Sequence, residues 1–395
     1  MIVESATAAR ILVVASTLPI ESSGTSIVLR RLLENFAAGE VVLIGKTPDR
    51  TGRLAARELH YPALRIPSLP GGIRGDRYWR LASALPGLLT GWRAVRRHRP
   101  RAILAVFPDE SSLLLGYWLH RLTGLPLLAY FCDLYMEDRR GWQLRLARWL
   151  QPRVFARAAR LLTVNEGMAG YYRERYGLSP VCLPTCINVR LPDPSPLPPP
   201  GRPFVVGYSG NVNPTRLTSL QALVRAIGGN SAYLLRYFTP QRRAYLEAQR
   251  LWAANAEATF VAGESELVRD LSRCDALFLP LTFEVGENSH DQLATCFGIK
   301  VYEYYLARRP VLVHSPGDYF IARFHRERDC GLVVDNRSSE ALLAGLERLR
   351  TDTSLRQRLV ANALQAARGF EGARVAGILR ASLSEVTVDG RGGLS

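Results

Sequence analysis

The chain contains almost no lysine: among its 51 lysine and arginine residues, only Lys46 and Lys300 are lysines. Arginine therefore supplies nearly all of the formal net charge of +16 at pH 7. Such a charge favours an anionic partner, and nucleic acid, an anionic membrane surface and anionic small molecules all fit it. A GC-rich genome also produces an arginine bias, so the charge does not choose among them. The scarcity of lysine draws attention to Lys300, because this chain seldom uses lysine for solubility.

The sequence also lacks the marks of a disulfide-rich, zinc-binding or membrane-spanning protein. No uncharged apolar run reaches the length of a membrane span, and residues 1–10 contain Glu4 and lack the long apolar core of a signal peptide. The cysteines are scattered, with no Cys-x-x-Cys pair, so we expect reduced thiols in a cytoplasmic protein, without a disulfide framework or a zinc site. The six cysteines are at positions 132, 182, 186, 274, 296 and 330.

A chain of 395 residues is long enough for two domains, each with its own core. An apolar run at 11–15, an amphipathic helix at 27–36 and a second apolar run at 41–44 form a strand–loop–helix–strand unit, which is typical of a doubly wound parallel sheet. No Gly-x-Gly-x-x-Gly follows the first strand, which argues against a nicotinamide or flavin site. Because the same pattern restarts at 204–208, the sequence predicts an α/β protein with two Rossmann-like domains.

A proline-rich stretch at 191–203 separates these two halves. It is stiff and unable to join the interior of a sheet, so we interpret it as a linker. In the second half we expect a helix at 242–255 and a polar loop at 281–294. A closing helix and a flexible tail are predicted at the C-terminal end. The predicted boundaries divide the chain into four parts: 1–190, 191–203, 204–370 and 371–395.

The most informative stretch is 295–314, which we interpret as a loop carrying Gly298, a helix that starts near residue 299, and a short buried strand. A glycine loop that leads into a helix presents free backbone N–H groups and the positive end of the helix dipole, which suits a phosphate. Lys300 adds a formal charge in the first turn, and Glu303 is placed to accept hydrogen bonds from a sugar or ribose hydroxyl. The alternative is that both are solvated helix residues, since a glycine before a helix is common.

This stretch resembles the donor-site segment of GT-B glycosyltransferases, and of the family 4 enzymes in particular. Lys300, Glu303 and Tyr304, followed by Pro310-Val311, fit their Lys-x-x-Glu-Tyr-x-x-x-x-x-Pro-Val signature. Many relatives also have a glutamate eight positions before Glu303. This chain has Thr295 there, which offers no carboxylate to the donor sugar.

The resemblance extends over residues 10 to about 370 and implies the GT-B fold, in which two Rossmann-like domains face each other across a cleft. The first domain would bind the acceptor and the second the nucleotide-sugar donor. The family usually uses no metal, so we expect neither a metal nor a cofactor beyond the nucleotide-sugar substrate. The donor-binding residues implied by position are Gly24, Thr25, Gly210, Asn211, Thr295, Phe297, Gly298, Ile299, Lys300 and Glu303.

Catalytic roles are carried over in the same way. Lys300 and Arg216 are expected to stabilise the leaving diphosphate, and Asp133, just past the strand predicted at 127–131, is expected near the acceptor. Two plain alternatives remain open, since Gly24 also suits an ordinary turn and Asp133 also suits the cap of the next turn.

Two arginine-rich segments, at 93–101 and 139–157, suggest a partner surface. The second is a basic amphipathic helix with Trp142 and Trp149, a composition that suits a membrane surface. The alternatives are a solvated helix end for the first segment and packing on the protein's own core for the second. No recognised nucleic-acid motif is present, so we do not expect nucleic acid as a partner.

We therefore predict a glycosyltransferase that moves a sugar from a nucleoside-diphosphate-sugar donor to an acceptor hydroxyl, retaining by analogy. We expect it to act in cell-envelope polysaccharide or glycoconjugate biosynthesis. A lipid-linked glycan acceptor would hold it peripherally on the inner membrane face. Two alternatives stay open: a GT-B nucleotide-sugar epimerase, with Asp109 and Glu110 as its further carboxylates, and a non-catalytic basic scaffold on membrane or nucleic acid.

Overall fold

The computed structural model describes residues 10–19, 24–46, 59–66, 82–193, 195–286 and 289–389. Contacts within the chain divide it into two units, Met1–Asn188 with Phe370–Ser395, and Val189–Gly369. The boundaries drawn from the sequence at 190, 203 and 370 remain a prediction. The flexible tail that we predict lies, apart from Asp389, outside the described residues.

Among the described residues of the first unit, seven parallel strands form one sheet. They are β1 (Ile11–Thr17), β2 (Val41–Lys46), β3 (Ala63–Arg65), β4 (Ala102–Phe107), β5 (Leu127–Phe131), β6 (Arg160–Thr163) and β7 (Val181–Cys182). Their order across the sheet is β3-β2-β1-β4-β5-β6-β7. Strands β2, β4 and β5 are buried along their whole length, as continuous apolar runs predict for a parallel sheet covered on both faces.

Helices connect these strands, as expected for a doubly wound sheet. They are α1 (Gly24–Leu33), α2 (Ala84–His98), α3 (Glu110–Thr123), α4 (Gly141–Arg157) and α5 (Glu166–Tyr176). Local sequence explains where α3 begins and ends. The Asp109 carboxylate accepts a hydrogen bond from the Ser111 N–H at 2.8 Å, and Gly124 ends the helix with φ of 71°.

In the described part of the second unit, six parallel strands form a second sheet. They are β8 (Phe204–Ser209), β9 (Tyr233–Phe238), β10 (Ala256–Thr259), β11 (Ala276–Pro280), β12 (Val311–His314) and β13 (Leu332–Val334). Their order is β10-β9-β8-β11-β12-β13. The helices of this unit are α6 (Pro214–Ile227), α7 (Arg243–Ala248), α8 (Glu264–Leu271), α9 (His290–Ala294), α10 (Lys300–Leu306), α11 (Phe320–Glu327), α12 (Ser339–Thr351) and α13 (Thr353–Ala367).

Each sheet has one point where the direction of strand addition reverses. In the first unit it lies between β1 and β4, and in the second between β8 and β11. Ligands of open α/β sheets bind beyond the carboxyl ends of the strands at such a point. The fold therefore directs attention to the loops after β8 and β11, and to those after β1 and β4.

Polar contacts attach the linker stretch to the second unit. The Asp275 carboxylate accepts a hydrogen bond from the N–H group of Gly201 at 2.9 Å, and another from that of Val205 in β8 at 2.7 Å. The Arg308 guanidinium donates to the Ser195 carbonyl at 2.6 Å. These bonds satisfy backbone groups that a proline-rich segment cannot pair in a ladder.

The final helix, α14 (Gly372–Asp389), packs on α1 of the first unit. The Arg380 guanidinium forms a salt bridge with Glu40 at 3.0 Å and donates to the Asn35 carbonyl at 2.8 Å. Among the described residues, no helix is both long and apolar enough to cross a membrane.

Candidate functional site

Lys300, the first residue of α10, extends its side chain to the carboxyl end of β8. Its ammonium nitrogen lies 3.0 Å from the Tyr208 hydroxyl and 4.5 Å from the centre of the Tyr208 ring. The same nitrogen would lie 2.6 Å from a Cβ atom at Gly210, so a side chain at Gly210 would displace the lysine. Gly210 also has φ of 97°, which favours glycine. The loop after β8 is thus shaped to admit Lys300.

Arg216, in the first turn of α6, is held by the residues just before it. One terminal nitrogen of its guanidinium donates to the Asn213 amide oxygen at 3.1 Å and to the Thr215 hydroxyl at 2.8 Å. Its other terminal nitrogen would lie 3.5 Å from a Cβ atom at Gly298. The arginine therefore lies beside the loop that precedes Lys300, and the structure brings Lys300, Arg216, Gly210 and Gly298 together.

Backbone and hydroxyl bonds join the two loops that flank the switch point. The Thr282 N–H, after β11, donates to the Thr215 carbonyl at 2.8 Å. The hydroxyls of Thr218 and Thr282 also lie 2.8 Å apart. These bonds fix the first turn of α6, and hence the backbone that carries Arg216, against the neighbouring strand.

The charges at this site are unbalanced. Burial, and after it the positive charge of Arg216, hold the pKa of the Lys300 ammonium well below its usual value, against the opposite effect of Glu303. In the described part of the chain, neither Lys300 nor Arg216 forms a salt bridge with a carboxylate. Two adjacent cations that form no salt bridge in this part of the chain suit an anion that carries more than one charge.

Two tyrosines support this arrangement, and only Tyr304 belongs to the sequence signature. Burial raises the pKa of Tyr208 to about 12, so its hydroxyl stays protonated and donates to the Asn211 carbonyl at 2.8 Å. The Tyr304 hydroxyl accepts from the Ser209 N–H at 3.0 Å and donates to the Phe278 carbonyl at 3.1 Å. Sequence reasoning missed Tyr208, because a tyrosine in an apolar strand is typical of a core residue.

The other predicted donor-site residues are placed as follows. Ile299 immediately precedes α10, and Glu303 lies one turn after Lys300, half-buried. The buried Thr295 hydroxyl donates to the Asp291 carbonyl at 2.8 Å, so its side chain is turned back onto α9. The Phe297 ring is buried among aromatic residues, with its centre 4.7 Å from that of Phe324. The side chains of Thr295 and Phe297 therefore have structural contacts of their own.

The predicted residues of the first unit follow its strands. Gly24 and Thr25 open α1, the first of them exposed. Asp133 lies two residues past β5, where its charge adds to burial in raising the pKa of the Cys132 thiol. Among the described residues, no group of three histidine, cysteine, aspartate or glutamate side chains is arranged to hold a metal ion.

The alternative function of an epimerase depends on two carboxylates, and both of them have structural partners. Asp109 accepts hydrogen bonds from the N–H and the hydroxyl of Ser111, at 2.8 and 2.5 Å. Glu110 forms a salt bridge with Arg139 at 2.5 Å and accepts from the Gln143 amide at 3.2 Å. Their positions are explained by capping α3 and by fixing the segment that leads to α4.

Comparison with known proteins agrees with this architecture. Residues 23–183 match a family model described as "Glycosyl transferase 4-like domain". No curated protein matches the chain.

Three solved structures illustrate the likeness of the fold. A sucrose-phosphate synthase from Thermosynechococcus elongatus matches with 15% identity and a TM-score of 0.73, over 96% of this chain and 100% of that one. Anabaena HepE in complex with UDP-glucose matches with 14% identity and a TM-score of 0.69, over 95% and 100%. MnaA from S. aureus, in a co-structure with UDP, matches with 12% identity and a TM-score of 0.54, over 93% and 94%.

At these identities the solved structures show the fold, and the family model shows a glycosyl transferase 4-like domain over most of the first unit. Together they confirm the resemblance drawn from the sequence, including the transferase class. This chain has the GT-B fold, and its residues 23–183 match a glycosyl transferase 4-like domain.

Proposed function

We propose that the protein transfers a sugar from a nucleoside-diphosphate-sugar donor to an acceptor hydroxyl, and that the donor binds beyond β8 and β11. The observation that carries this proposal is the pair of cations at that edge, Lys300 and Arg216, which have no salt-bridge partner among the described residues. The adjoining glycine loops let a diphosphate approach the backbone closely. The complex of HepE with UDP-glucose supports a UDP-sugar as the first donor to test.

The chemistry explains why cations are needed at this place. The bond between the anomeric carbon and the diphosphate oxygen breaks while a bond to the acceptor oxygen forms, so negative charge gathers on the leaving diphosphate. Lys300 and Arg216 would stabilise that charge, and they are already in position before the reaction begins. Glu303, one turn along α10 from Lys300, would accept hydrogen bonds from the ribose. Gly210 and Gly298 would line the diphosphate.

The finer parts of the proposal rest on the resemblance. We propose that Asp133 lies near the acceptor, that anomeric configuration is retained, and that no metal takes part. We also propose a lipid-linked glycan acceptor of cell-envelope polysaccharide biosynthesis, with the protein at the inner face of an anionic membrane. The charge of +16 supports that location.

A thermal-shift panel of UDP, GDP, dTDP and ADP tests the donor site. A ligand that binds only the folded state raises the melting temperature by mass action. We expect a rise with one nucleotide that is lost in Lys300→Ala and in Arg216→Ala. Arg348→Ala, which removes an exposed arginine from α12, is the matched control and should keep the full rise.

The outcomes separate the alternatives. If none of the four nucleotides raises the melting temperature, the donor site is refuted and the non-catalytic scaffold is favoured. A rise that survives both substitutions would place the nucleotide elsewhere. Conversion of the donor sugar without an acceptor would favour an epimerase, with Asp109 and Glu110 as its further carboxylates.

A further inference from the structure

The fully buried residues of helix α2 are all small, and three of its large apolar residues are exposed. The residues that it buries are Ala84, Gly87, Gly91 and Ala94. A Cβ atom at Gly87 would lie 2.8 Å from a methyl carbon of Leu115, and one at Gly91 would lie 2.5 Å from a methyl carbon of Leu119. The two glycines therefore let the backbone of α2 pack directly on the leucines of α3. Leu88 and Val95 of α2 are partly buried against the same core.

Three other large apolar residues of α2 lie on the surface. Leu85 is 64% exposed, Leu89 50% and Trp92 39%. Their spacings of four and three residues place them on one stripe of the helix. Single exposed leucines are ordinary on a protein surface, whereas an apolar stripe on one face marks a contact with another molecule. Folding alone does not explain this stripe, because the opposite face makes the contact with the core.

Arginines follow the stripe at the C-terminal end of α2, and the neighbouring helices contain almost no acidic residue. The Arg96 guanidinium lies 4.4 Å from the centre of the Trp92 ring. In all, helices α2, α3 and α4 contain one acidic residue, Glu110, which is paired with Arg139. The arginines of these helices are Arg93, Arg96, Arg97, Arg121, Arg145, Arg148, Arg153 and Arg157.

The same arrangement recurs on α4, on the other side of α3. Trp149 is 40% exposed, and the Arg153 guanidinium lies 4.7 Å from the centre of its ring. The Trp149 ring meets Tyr117 of α3 edge-on at 6.4 Å, which keeps α4 beside α3. Leu122, at the end of α3, is 62% exposed. Two exposed tryptophans, each with an arginine over the ring, thus flank α3.

We propose that the outer face of α2, with Leu85, Leu89 and Trp92 at its centre, docks the protein onto an anionic lipid surface. Leucines gain by entering the boundary of the acyl chains, tryptophan favours the interface, and arginine extends to headgroup phosphates. Each basic residue near such a surface strengthens the attraction to its negative potential. The inference rests on the membrane partner of the proposed function and identifies the residues that make the contact.

Lipid explains this surface better than nucleic acid. Arginines alone would suit either polyanion, and tryptophan also stacks on bases. Leu85 and Leu89 have no counterpart in a phosphate backbone or a base stack, whereas a bilayer offers an apolar phase beneath its phosphates. The apolar stripe therefore decides between the two partners, and a test has to separate its contribution from that of charge.

Co-sedimentation of the full chain with vesicles provides that test. We expect binding to vesicles of phosphatidylcholine mixed with phosphatidylglycerol, and much weaker binding to phosphatidylcholine alone. Leu89→Ser with Trp92→Ser, and separately Arg93→Glu with Arg97→Glu, should each lower the affinity about tenfold or more. Both pairs are exposed, so circular dichroism and melting temperature should be unchanged.

The control variants make the same two kinds of change on the second unit. Phe260→Ser removes an apolar side chain that is 64% exposed, and Arg225→Glu with Arg348→Glu makes the same change of net charge at two exposed arginines. Both should bind vesicles like the wild type. No binding to anionic vesicles, or equal losses in the controls, would overturn the proposal.

A different pattern would point to nucleic acid. In that pattern, Arg93→Glu with Arg97→Glu would lower the binding to vesicles, whereas Leu89→Ser with Trp92→Ser would not, and the wild type would bind duplex DNA equally tightly. This result would also overturn the lipid proposal. The assay contains no sugar substrate. A negative result with vesicles would therefore not affect the thermal-shift test of the donor site, and a negative result in the thermal-shift test would not affect the vesicle assay.

Discussion

The Lys300 ammonium lies 3.0 Å from the hydroxyl oxygen of Tyr208 and 4.5 Å from the centre of the same ring. A single residue thus supplies both a hydrogen-bond acceptor and a cation–π contact, and neither carries a negative charge. The same hydroxyl donates to the Asn211 carbonyl, which orients its lone pairs toward the lysine. These contacts hold the lysine in place without pairing it with a negative charge, so an anionic ligand can supply that charge.

Tyr208→Phe tests this relationship, because it keeps the ring and removes only the hydroxyl. We expect the Kd of the nucleoside diphosphate found in the thermal-shift panel to rise about fivefold, since one such hydrogen bond contributes about 1 kcal/mol. Titration calorimetry measures it. Tyr237→Phe is the matched control: its hydroxyl donates to the Leu251 carbonyl at 2.8 Å, and its ring lies 6.2 Å from that of Tyr208. Equal weakening in both variants would contradict a specific role for Tyr208.

The affinity for a diphosphate should depend on pH through Lys300. Burial and Arg216 hold the pKa of this ammonium well below its usual value in the free protein. A bound diphosphate favours the charged form and raises that pKa, so binding takes up a proton once the pH exceeds the lowered value. We therefore expect the affinity to fall as the pH rises through that range.

Titration calorimetry in two buffers of different ionisation enthalpy measures the proton uptake directly. Lys300→Arg supplies the comparison, because arginine stays charged across the whole range and should flatten the pH dependence. An affinity that does not change with pH in the wild type, or the same slope in both proteins, would refute the link to Lys300.

Much of the fold could be predicted because buried parallel strands are continuous apolar runs. The runs at 11–15, 41–44 and 204–208 all lie within strands, and the predicted α/β fold class is confirmed. The helix expected at 242–255 was too long. It stops at Ala248, and Arg250 has φ of 57°, a left-handed conformation. The sequence did not indicate it, because glycine is the residue that usually adopts this conformation.

Much less of the candidate site could be read from the sequence. A family signature pointed to Lys300, and the loop positions pointed to Gly210 and Arg216, all of which the structure brings together. Tyr208 was missed because its contact with Lys300 joins residues 92 positions apart. The predicted polar loop at 281–294 contains a short helix, α9, whose Asp291 carbonyl accepts from the Thr295 hydroxyl. Such contacts depend on packing between elements, which local patterns do not specify.

Gly210→Ala should affect both stability and binding. Its φ of 97° disfavours a side chain, and the added methyl group would occupy the position of the Lys300 side chain. Gly229→Ala has only the unfavourable backbone angle in common with it, since Gly229 has φ of 76° and open space around its Cβ position. We expect about 1–2 kcal/mol of lost stability at Gly229, and a larger loss at Gly210 accompanied by lost nucleotide binding. Urea unfolding and calorimetry compare the two, and equal effects would show that Lys300 does not require this glycine.

Two buried histidines should make the second unit sensitive to acid. Burial lowers the pKa of both His314 and His325 to about 4, and each ring bonds a backbone carbonyl, that of Asn336 at 2.8 Å and that of Ile321 at 2.7 Å. The folded-state pKa lies below the unfolded value of about 6.5, so the unfolded chain takes up protons first as the pH falls. The stability that these histidines contribute is therefore present above about pH 6.5 and is lost toward about pH 4.

Between about pH 7 and about pH 5, each histidine should lower the free energy of unfolding by about 2 kcal/mol. Most carboxylates titrate only below this range. Urea unfolding at the two pH values measures the difference. His325→Gln cannot take up the proton, so it should be less stable than the wild type at neutral pH yet lose only about half as much on acidification. The same loss in the variant and the wild type would mean that His325 does not titrate with unfolding, and that the acid sensitivity arises elsewhere.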